Sequence, residues 1–157
     1  MKVILLVVGK TIDSNLISLQ DEYLKRLKHY IQVEMTVIPE LKNTKNLSES
    51  EQKEKEADLI LKNIDAGDDV ILLDDKGKQY TSVKFSEFIS KKMLSSSKRM
   101  IFVVGGPYGF SQRIYARANG MLSLSAMTFS HQMIRLIFVE QLYRAFTIIK
   151  GEPYHHE

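Results

Sequence analysis

The chain has 157 residues, of which 44% are hydrophobic and 26% charged, and its formal net charge is +3. This length and composition are typical of one compact soluble domain. The sequence contains no cysteine, which excludes disulfide bonds and cysteine-ligated zinc and agrees with a reducing, cytoplasmic location.

The first part of the chain alternates strand and helix patterns. Residues 3–8 form a continuous apolar run, which predicts a strand buried on both faces rather than a membrane span or an export signal. Apolar residues at helical spacing then predict a helix that is capped by Asp13 or Ser14. Residues 33–39 alternate and end in proline, which predicts a second strand, and a charged helix is expected over 49–64.

The rest of the chain repeats this alternation. We expect, in order, a third strand at 70–73 with a turn at 74–77, a helix near 86–94, a fourth strand at 100–104, a helix from about Ser111 ended by Asn119-Gly120, a short apolar segment at 121–128 and a long helix at 131–149. Buried strands that alternate with helices predict an α/β fold with a mostly parallel sheet and helices on both faces. Because no repeat or linker interrupts this pattern, residues 1–157 are predicted to form a single domain.

A glycine-rich loop that begins with Gly105-Gly106 follows the fourth predicted strand. Ligands in open α/β sheets lie beyond the carboxyl ends of the strands, so this loop should share a rim with Leu73-Asp74 and residues 125–129. The loop has neither the spacing of GxGxxG nor the lysine of a P-loop, and a plain strand-to-helix turn explains it equally well. With few charges on the rim, we expect a nucleoside without phosphates, held by backbone and apolar surfaces.

Two polar pairs lie on the last predicted helix. His131 and Arg135 are four residues apart, as are Glu140 and Arg144, and the two pairs lie about half a turn from each other. Either the helix passes between two sites or a second subunit supplies one pair. The simpler interpretations are an ordinary helix ion pair for Glu140–Arg144 and a structural role for His131, whereas Arg135 lies in the apolar stripe and needs a buried partner. Apolar positions extend well around this helix, which favours an oligomeric interface.

The chain ends in GEPYHHE, a tail that is either disordered or a fixed extension. Pro153 beside Tyr154 favours the fixed extension. From residue 100 onward there are five basic and three acidic residues and three of the four histidines, so the basic excess lies beside the glycine loop. Such a bias permits a nucleic-acid partner. In that case Tyr154 would stack on a base, and the adjacent His155 and His156 would exchange protons with it.

Several stretches of the sequence, taken together, resemble one protein family. VVGGPYGF, LSLSAMTFSHQMIR, EQLYRAF and GEPYHHE, with the opening KVILLVVGK and the later LLDDKGK, resemble in order and spacing the family of ribosomal RNA large subunit pseudouridine N3-methyltransferases (RlmH) of the SPOUT superfamily. The resemblance covers essentially the whole chain. The tail and the SHQMIR to EQLYRAF run are specific to this family, whereas the double glycine alone is not.

The resemblance implies a fold and a reaction. The expected protein is a homodimer with a C-terminal trefoil knot that uses S-adenosylmethionine to methylate N3 of a pseudouridine in 23S rRNA of the assembled ribosome. No metal is expected, since a methyl group on a sulfonium is already activated. Carried over position by position, the implied cofactor contacts are Leu73, Gly105, Leu124, Ser125, Ala126, Met127, Thr128 and Phe129.

For the chemistry itself we hypothesise four residues. His155 is the candidate base that removes the N3 proton, and Tyr154 is the candidate stacking partner of the target base. Arg144, oriented by Glu140, would stabilise negative charge that develops on the uracil carbonyls.

His131 and Arg135 are expected to shape the cofactor pocket or to bind backbone phosphate.

Two other functions remain open at this point. One is a non-catalytic ribosome- or RNA-binding protein that uses the same basic tail. The other is a small nucleotide or flavin binder in which Gly105-Gly106 forms a phosphate nest.

Overall fold

The computed structural model describes residues 1–156, in which parallel strands alternate with helices. The elements are β1 (Lys2–Val8), α1 (Ser14–Leu27), β2 (Gln32–Ile38), a 3-10 turn (Thr44–Asn46), α2 (Glu49–Leu61), β3 (Asp69–Gln79), α3 (Ser82–Met93), β4 (Arg99–Val104), α4 (Gln112–Arg117), β5 (Gly120–Ser123) and α5 (Met133–Ile149). Within this range no helix is both long and apolar enough to cross a membrane.

The five strands form one sheet in the order β2-β1-β4-β3-β5, and every pairing is parallel. Helices α1, α3 and α5 pack on one face, while α2 and α4 pack on the other. The predicted α/β fold with helices on both faces is therefore confirmed. The trefoil knot stays a prediction from the resemblance.

The core consists of two apolar layers, one on each face of the sheet. Side chains along a strand point alternately to opposite faces. In β1, Val3, Leu5 and Val7 accordingly enter the layer beneath α1, α3 and α5, whereas Ile4 and Leu6 enter the layer beneath α2 and α4. This alternation explains why the first strand is a continuous apolar run.

The turn predicted at 74–77 is wrong. Strand β3 continues through it to Gln79, and its pairing with β5 shifts register between Leu73 and Lys78. Gly77 permits this close approach, because a Cβ at that position would lie 2.6 Å from the backbone of Leu122. The segment that has the composition of a turn is therefore an irregular part of the strand.

The second half of the chain contains three smaller differences. Helix α3 begins at Ser82, where Thr81 caps it, rather than near Ser86. Strand β5 covers only Gly120–Ser123, and helix α5 begins at Met133 rather than His131. An irregular loop of residues 124–132 therefore connects β5 to α5, and this loop lines the site described next.

Candidate functional site

A crevice opens at the carboxyl ends of β3 and β5, beside the start of α5. Its lining residues are Leu73, Asp74, Asp75, Leu122, Ser123, Leu124, Ser125, Met127, Thr128, Phe129 and Ile134. Six of the eight residues predicted to contact a cofactor line this crevice, while Gly105 and Ala126 do not. The predicted rim after the third and fifth strands is therefore a real depression, but the glycine loop is not part of its lining.

Serine side chains shape the loop between β5 and α5. The Ser123 hydroxyl donates to the Ser125 carbonyl at 2.9 Å, and the Ser125 hydroxyl accepts from Met127 N–H at 2.9 Å. The Ser130 hydroxyl accepts from Met133 N–H at 3.1 Å, just before α5. These bonds satisfy backbone groups that an irregular loop leaves open, and they account for the serines scattered along this apolar segment.

Two carboxylates, those of Asp74 and Asp75, give the lining of the crevice a negative charge. Asp74 is half-buried, and its Oδ2 accepts from the Tyr115 hydroxyl at 2.5 Å while its Oδ1 accepts from Lys76 N–H at 2.8 Å. Burial raises the pKa of Asp74, but these two hydrogen bonds, together with the Asp75 side chain and the charge of Lys76, outweigh burial and the net pKa is lowered. Asp74 is therefore ionised at neutral pH, and the expectation of a rim with few charges is wrong.

The glycines of the 105–106 loop make room for side chains of the chain itself. A Cβ at Gly105 would lie 3.0 Å from the Phe110 ring, and one at Gly106 would lie 2.4 Å from Oε1 of Glu56. Gly106 N–H donates to the Glu56 carboxylate, whose pKa is nevertheless raised, chiefly by burial. A carboxylate thus occupies the place where a phosphate nest would bind its anion, which contradicts the nucleotide or flavin alternative.

His131 lies outside the crevice. It is exposed in the turn before α5 and lines a separate cavity with Glu40 and Glu56. His131 therefore does not contribute to the crevice that contains most of the predicted cofactor contacts. The two carboxylates beside it also make a phosphate site unfavourable.

Arg135 is fully buried, and its donors are used within the chain. The guanidinium donates to Val8 O at 2.9 Å, Gly9 O at 2.8 Å and Thr11 Oγ1 at 3.2 Å. Its Nε donates to His131 O at 3.0 Å. Arg135 therefore satisfies carbonyls at the end of β1, and the expectation that it binds phosphate or shapes the cofactor pocket is wrong.

The other predicted residues meet at the far end of α5, and we call Glu140, Arg144, Tyr154 and His155 the tail cluster. Arg144 Nη2 donates to Glu140 Oε1 at 2.5 Å, and the Tyr154 hydroxyl donates to the same oxygen at 3.0 Å. Arg144 Nη1 lies 3.3 Å from His155 Nδ1. The structure thus brings together all four residues predicted for the chemistry.

The protonation states within the tail cluster follow from these contacts. Burial lowers the pKa of Arg144, but the hydrogen bond and the charge of Glu140 outweigh it and raise the pKa overall. Burial, together with hydrogen bonds to Tyr23 and Glu140, raises the pKa of Tyr154 far above its usual range. Arg144 is therefore a cation and Tyr154 a neutral hydroxyl at every pH of interest, which excludes Tyr154 as a base.

The tail that carries this cluster is a fixed extension as far as residue 156. Gly151, with φ of +69°, turns the chain after α5, and Glu152 N–H then donates to Thr147 O at 2.9 Å. The Tyr30 hydroxyl donates to the Glu152 carboxylate, and the Tyr23 and Tyr154 hydroxyls are 3.3 Å apart. Helix α1 and the turn that follows it therefore hold the tail against α5.

Two of these residues were not predicted as functional. Neither Tyr23 nor Tyr115 was singled out from the sequence. Tyr23 lies 131 residues from Tyr154 and Tyr115 lies 41 residues from Asp74. No local spacing connects such pairs, so only the fold could reveal them.

The crevice and the tail cluster are far apart within one chain. Ile134 lines the crevice and Arg144 belongs to the tail cluster, and both lie on α5, ten residues apart. At 1.5 Å per residue this separation is about 15 Å along the helix axis. Groups that react must approach within about 3.5 Å. This separation favours a reaction between a molecule in the crevice and the tail cluster of a second chain rather than that of the same chain.

An apolar groove adjoins the tail cluster. It is lined by Leu19, Tyr23, Leu136, Ile137 and Glu140. Leu19 is 43% exposed here. Exposed apolar surface between two helices is typical of a surface that another protein covers.

Comparison with known proteins decides the family. The family described as predicted SPOUT methyltransferase matches residues 1–155. The chain belongs to this family. It is 59% identical to ribosomal RNA large subunit methyltransferase H of Parabacteroides distasonis, 58% to that of Phocaeicola vulgatus and 57% to that of Flavobacterium johnsoniae, in each case over the whole of both chains. The protein is thus an enzyme of the SPOUT class, as the motifs indicated.

Proposed function

We propose that this enzyme transfers a methyl group from S-adenosylmethionine to N3 of a pseudouridine in 23S rRNA of the assembled ribosome. The family match over residues 1–155 and the names of the full-length relatives support a large-subunit rRNA methyltransferase. They also favour an enzyme over a non-catalytic RNA-binding protein. The structural observation that carries the proposal is the pairing of an apolar crevice with a separate tail cluster that holds a cation.

The crevice fits S-adenosylmethionine. Leucine, phenylalanine and isoleucine side chains offer apolar surfaces to an adenine. The negative charges of Asp74 and Asp75 attract the positively charged sulfonium and ammonium groups. The proposed contacts are Leu73 and residues 124–129. Gly105 is also a proposed contact, but only through its backbone N–H and C=O groups. The space beside its Cα is already occupied by the Phe110 ring. When bound, this cofactor supplies a methyl group that needs no metal to activate it.

The active enzyme in this proposal is a homodimer with composite sites. One chain contributes the crevice, and the partner contributes the tail cluster, because the two lie about 15 Å apart along α5 within a chain. The apolar groove beside Glu140 is the proposed contact surface between the two copies. The knotted C-terminal part implied by the resemblance belongs to the same proposal.

Arg144 and His155 have linked roles in the proposed reaction. An arginine N–H can only donate, so the 3.3 Å contact places the lone pair of His155 Nδ1 toward Arg144 and the ring proton on Nε2. For His155 to accept the N3 proton at Nδ1, this contact must open. Opening it frees Arg144 Nη1 to donate to a uracil carbonyl while negative charge develops there.

Glu140 and Tyr154 hold Arg144 for this step. Glu140 Oε1 accepts from both Arg144 and Tyr154, so the guanidinium is fixed on the side of α5 that faces the tail. The guanidinium also lies 4.7 Å from the centre of the Tyr154 ring. Tyr154 is proposed to stack on the target base with the part of its ring that remains accessible.

Transfer of labelled methyl groups to ribosomes tests the function. Ribosomes from cells that lack this modification should accept the label at one pseudouridine, whereas naked 23S rRNA should accept much less. The Arg144→Ala variant, which keeps the crevice intact, should bind S-adenosylmethionine normally and transfer almost no label. Label on another nucleotide, or equal labelling of naked rRNA, would contradict the proposal. A cytoplasmic location follows from this substrate.

A further inference from the structure

We infer that Asp74 makes the crevice selective for the positively charged methyl donor over the demethylated product of the reaction. The inference depends on the proposed function, since it presumes that the crevice binds S-adenosylmethionine. It adds a residue outside the contacts implied by the resemblance and gives that residue a role in choosing between two ligands of nearly identical shape.

The charged side chains that line the crevice are all negative. Asp74 and Asp75 are among its lining residues, and within residues 1–156 no lysine, arginine or histidine is. Such a lining attracts a ligand that carries net positive charge and gains little from a neutral one.

The methyl donor and its product differ by one charge. S-adenosylmethionine carries a sulfonium, an ammonium and a carboxylate, so its net charge is positive. Loss of the methyl group turns the sulfonium into a neutral thioether, and the net charge of the product is zero. Apolar contacts with the adenine are the same for both, so shape alone does not discriminate between them. A fixed carboxylate does, and it favours replacement of spent product by fresh donor.

Asp74 is less exposed and more rigidly held than Asp75, so we assign the role to Asp74. Asp74 is half-buried and has its two oxygens fixed by the Tyr115 hydroxyl at 2.5 Å and Lys76 N–H at 2.8 Å. Each carboxylate oxygen keeps a further lone pair, so neither bond removes its capacity to face a cation. Asp75 is exposed, and solvent and salt screen its charge.

Calorimetric binding to the purified full-length protein tests the inference with three ligands. These are S-adenosylmethionine, S-adenosylhomocysteine and 5′-methylthioadenosine, which shares the nucleoside but lacks the amino-acid part and the sulfonium. Asp74→Asn should weaken binding of S-adenosylmethionine about tenfold and leave the other two within about twofold. Asp75→Asn should change the preference less than threefold, because its charge is screened.

Asp21→Asn is the matched control. Asp21 lies exposed on α1 and outside the crevice lining, and its replacement changes net charge by the same amount. It should leave all three affinities unchanged. Higher salt should reduce the preference of the wild type and have little effect on that of Asp74→Asn.

Two outcomes overturn the inference while leaving the proposed function intact. Equal weakening of all three ligands by Asp74→Asn would show that Asp74 accepts from the ribose hydroxyls. An unchanged preference would show that its charge is not sensed. Failure of the wild type to bind any of the three would instead overturn the proposed function, and the inference with it. Thermal unfolding of each variant separates a loss of binding from a loss of folding.

Discussion

Tyr154 and Arg144 donate to the same oxygen of Glu140, at 3.0 Å and 2.5 Å respectively. One carboxylate oxygen thus links the end of α5 to the tail that follows it. Because Tyr154 also lies 3.3 Å from the Tyr23 hydroxyl of α1, the position of Arg144 depends on three separate parts of the chain. The tail therefore helps to fix the position of Arg144 within the tail cluster.

Tyr154→Phe should slow methyl transfer roughly tenfold, because Glu140 and Arg144 lose the group that fixes them. The phenyl ring keeps its packing, so the free energy of unfolding should fall by only about 1 kcal/mol. Single-turnover methyl transfer and chemical denaturation measure the two effects. Tyr30→Phe is the control, since it removes the tail's hydrogen bond to Glu152 without touching the cluster. Equal rate losses in the two variants would mean that Tyr154 matters only for anchoring the tail.

Mixed dimers should recover activity that neither parent has. Thr128→Trp blocks the crevice and Arg144→Ala removes the cation of the tail cluster, so each variant alone should be almost inactive. In a mixed dimer one site combines the intact crevice of one chain with the intact cluster of the other. Random mixing makes half of the dimers mixed, each with one good site of two, so about a quarter of the wild-type rate should return. Co-expression of two differently tagged chains followed by methyl-transfer assays measures this. No recovery would place the whole site within one chain.

The sequence predicted the sheet and failed where distant contacts override local composition. Continuous apolar runs such as residues 3–8 and 100–104 predicted strands, because burial on both faces needs nothing more than hydrophobicity. Residues 74–77 have turn composition but pair with β5, since Gly77 allows contact with Leu122, 45 positions later in the chain. Local pattern carries no information about such a partner.

The residues of the candidate site also fall into those that the sequence predicted and those that it did not. Residues in recognisable motifs were predicted, and the structure places Arg144 beside His155 and five of the six residues 124–129 at the separate crevice. Arg135 was expected to need a partner, but its partners are main-chain carbonyls after β1, which have no signature in sequence. Asp74 was expected on the ligand rim as part of Leu73-Asp74, but the charge that Asp74 and Asp75 bring to the crevice was not predicted.

Arg135→Met should destabilise the protein by about 3 kcal/mol. The substitution leaves the carbonyls of Val8 and Gly9 buried without their donor, and the methionine side chain cannot replace it. Arg26→Met is the control, because the ion pair of Arg26 with Glu22 is exposed to solvent and its loss should have little effect on the free energy of unfolding. Urea denaturation of both variants measures the difference. Equal and small losses would mean that water replaces the guanidinium at the end of β1.

Acid should weaken the fold through Asp68. Its Oδ1 accepts from Arg99 Nε at 2.8 Å and its Oδ2 from Arg99 Nη2 at 2.5 Å and from Asp65 N–H at 2.7 Å. The Arg99 hydrogen bonds, opposed by burial, hold the pKa of Asp68 below its usual value. A carboxylate whose pKa is lower in the folded than in the unfolded chain stabilises the fold above its unfolded pKa of about 3.9. That stabilisation is lost as the pH falls through the lowered folded value.

At neutral pH, Asp68→Asn should therefore cost about 1–3 kcal/mol, because one carboxylate oxygen is replaced by a donor that faces Arg99. The gap in unfolding free energy between wild type and variant should stay constant down to about pH 4 and then narrow as the pH falls further. Urea titrations of both proteins across that range measure it, and a double-mutant cycle with Arg99→Met isolates the pair, whose coupling energy should shrink over the same interval. If the difference in unfolding free energy instead stays constant into strong acid, Asp68 stabilises the start of β3 through its bond to Asp65 N–H alone. The charge of Arg99 would then make no contribution.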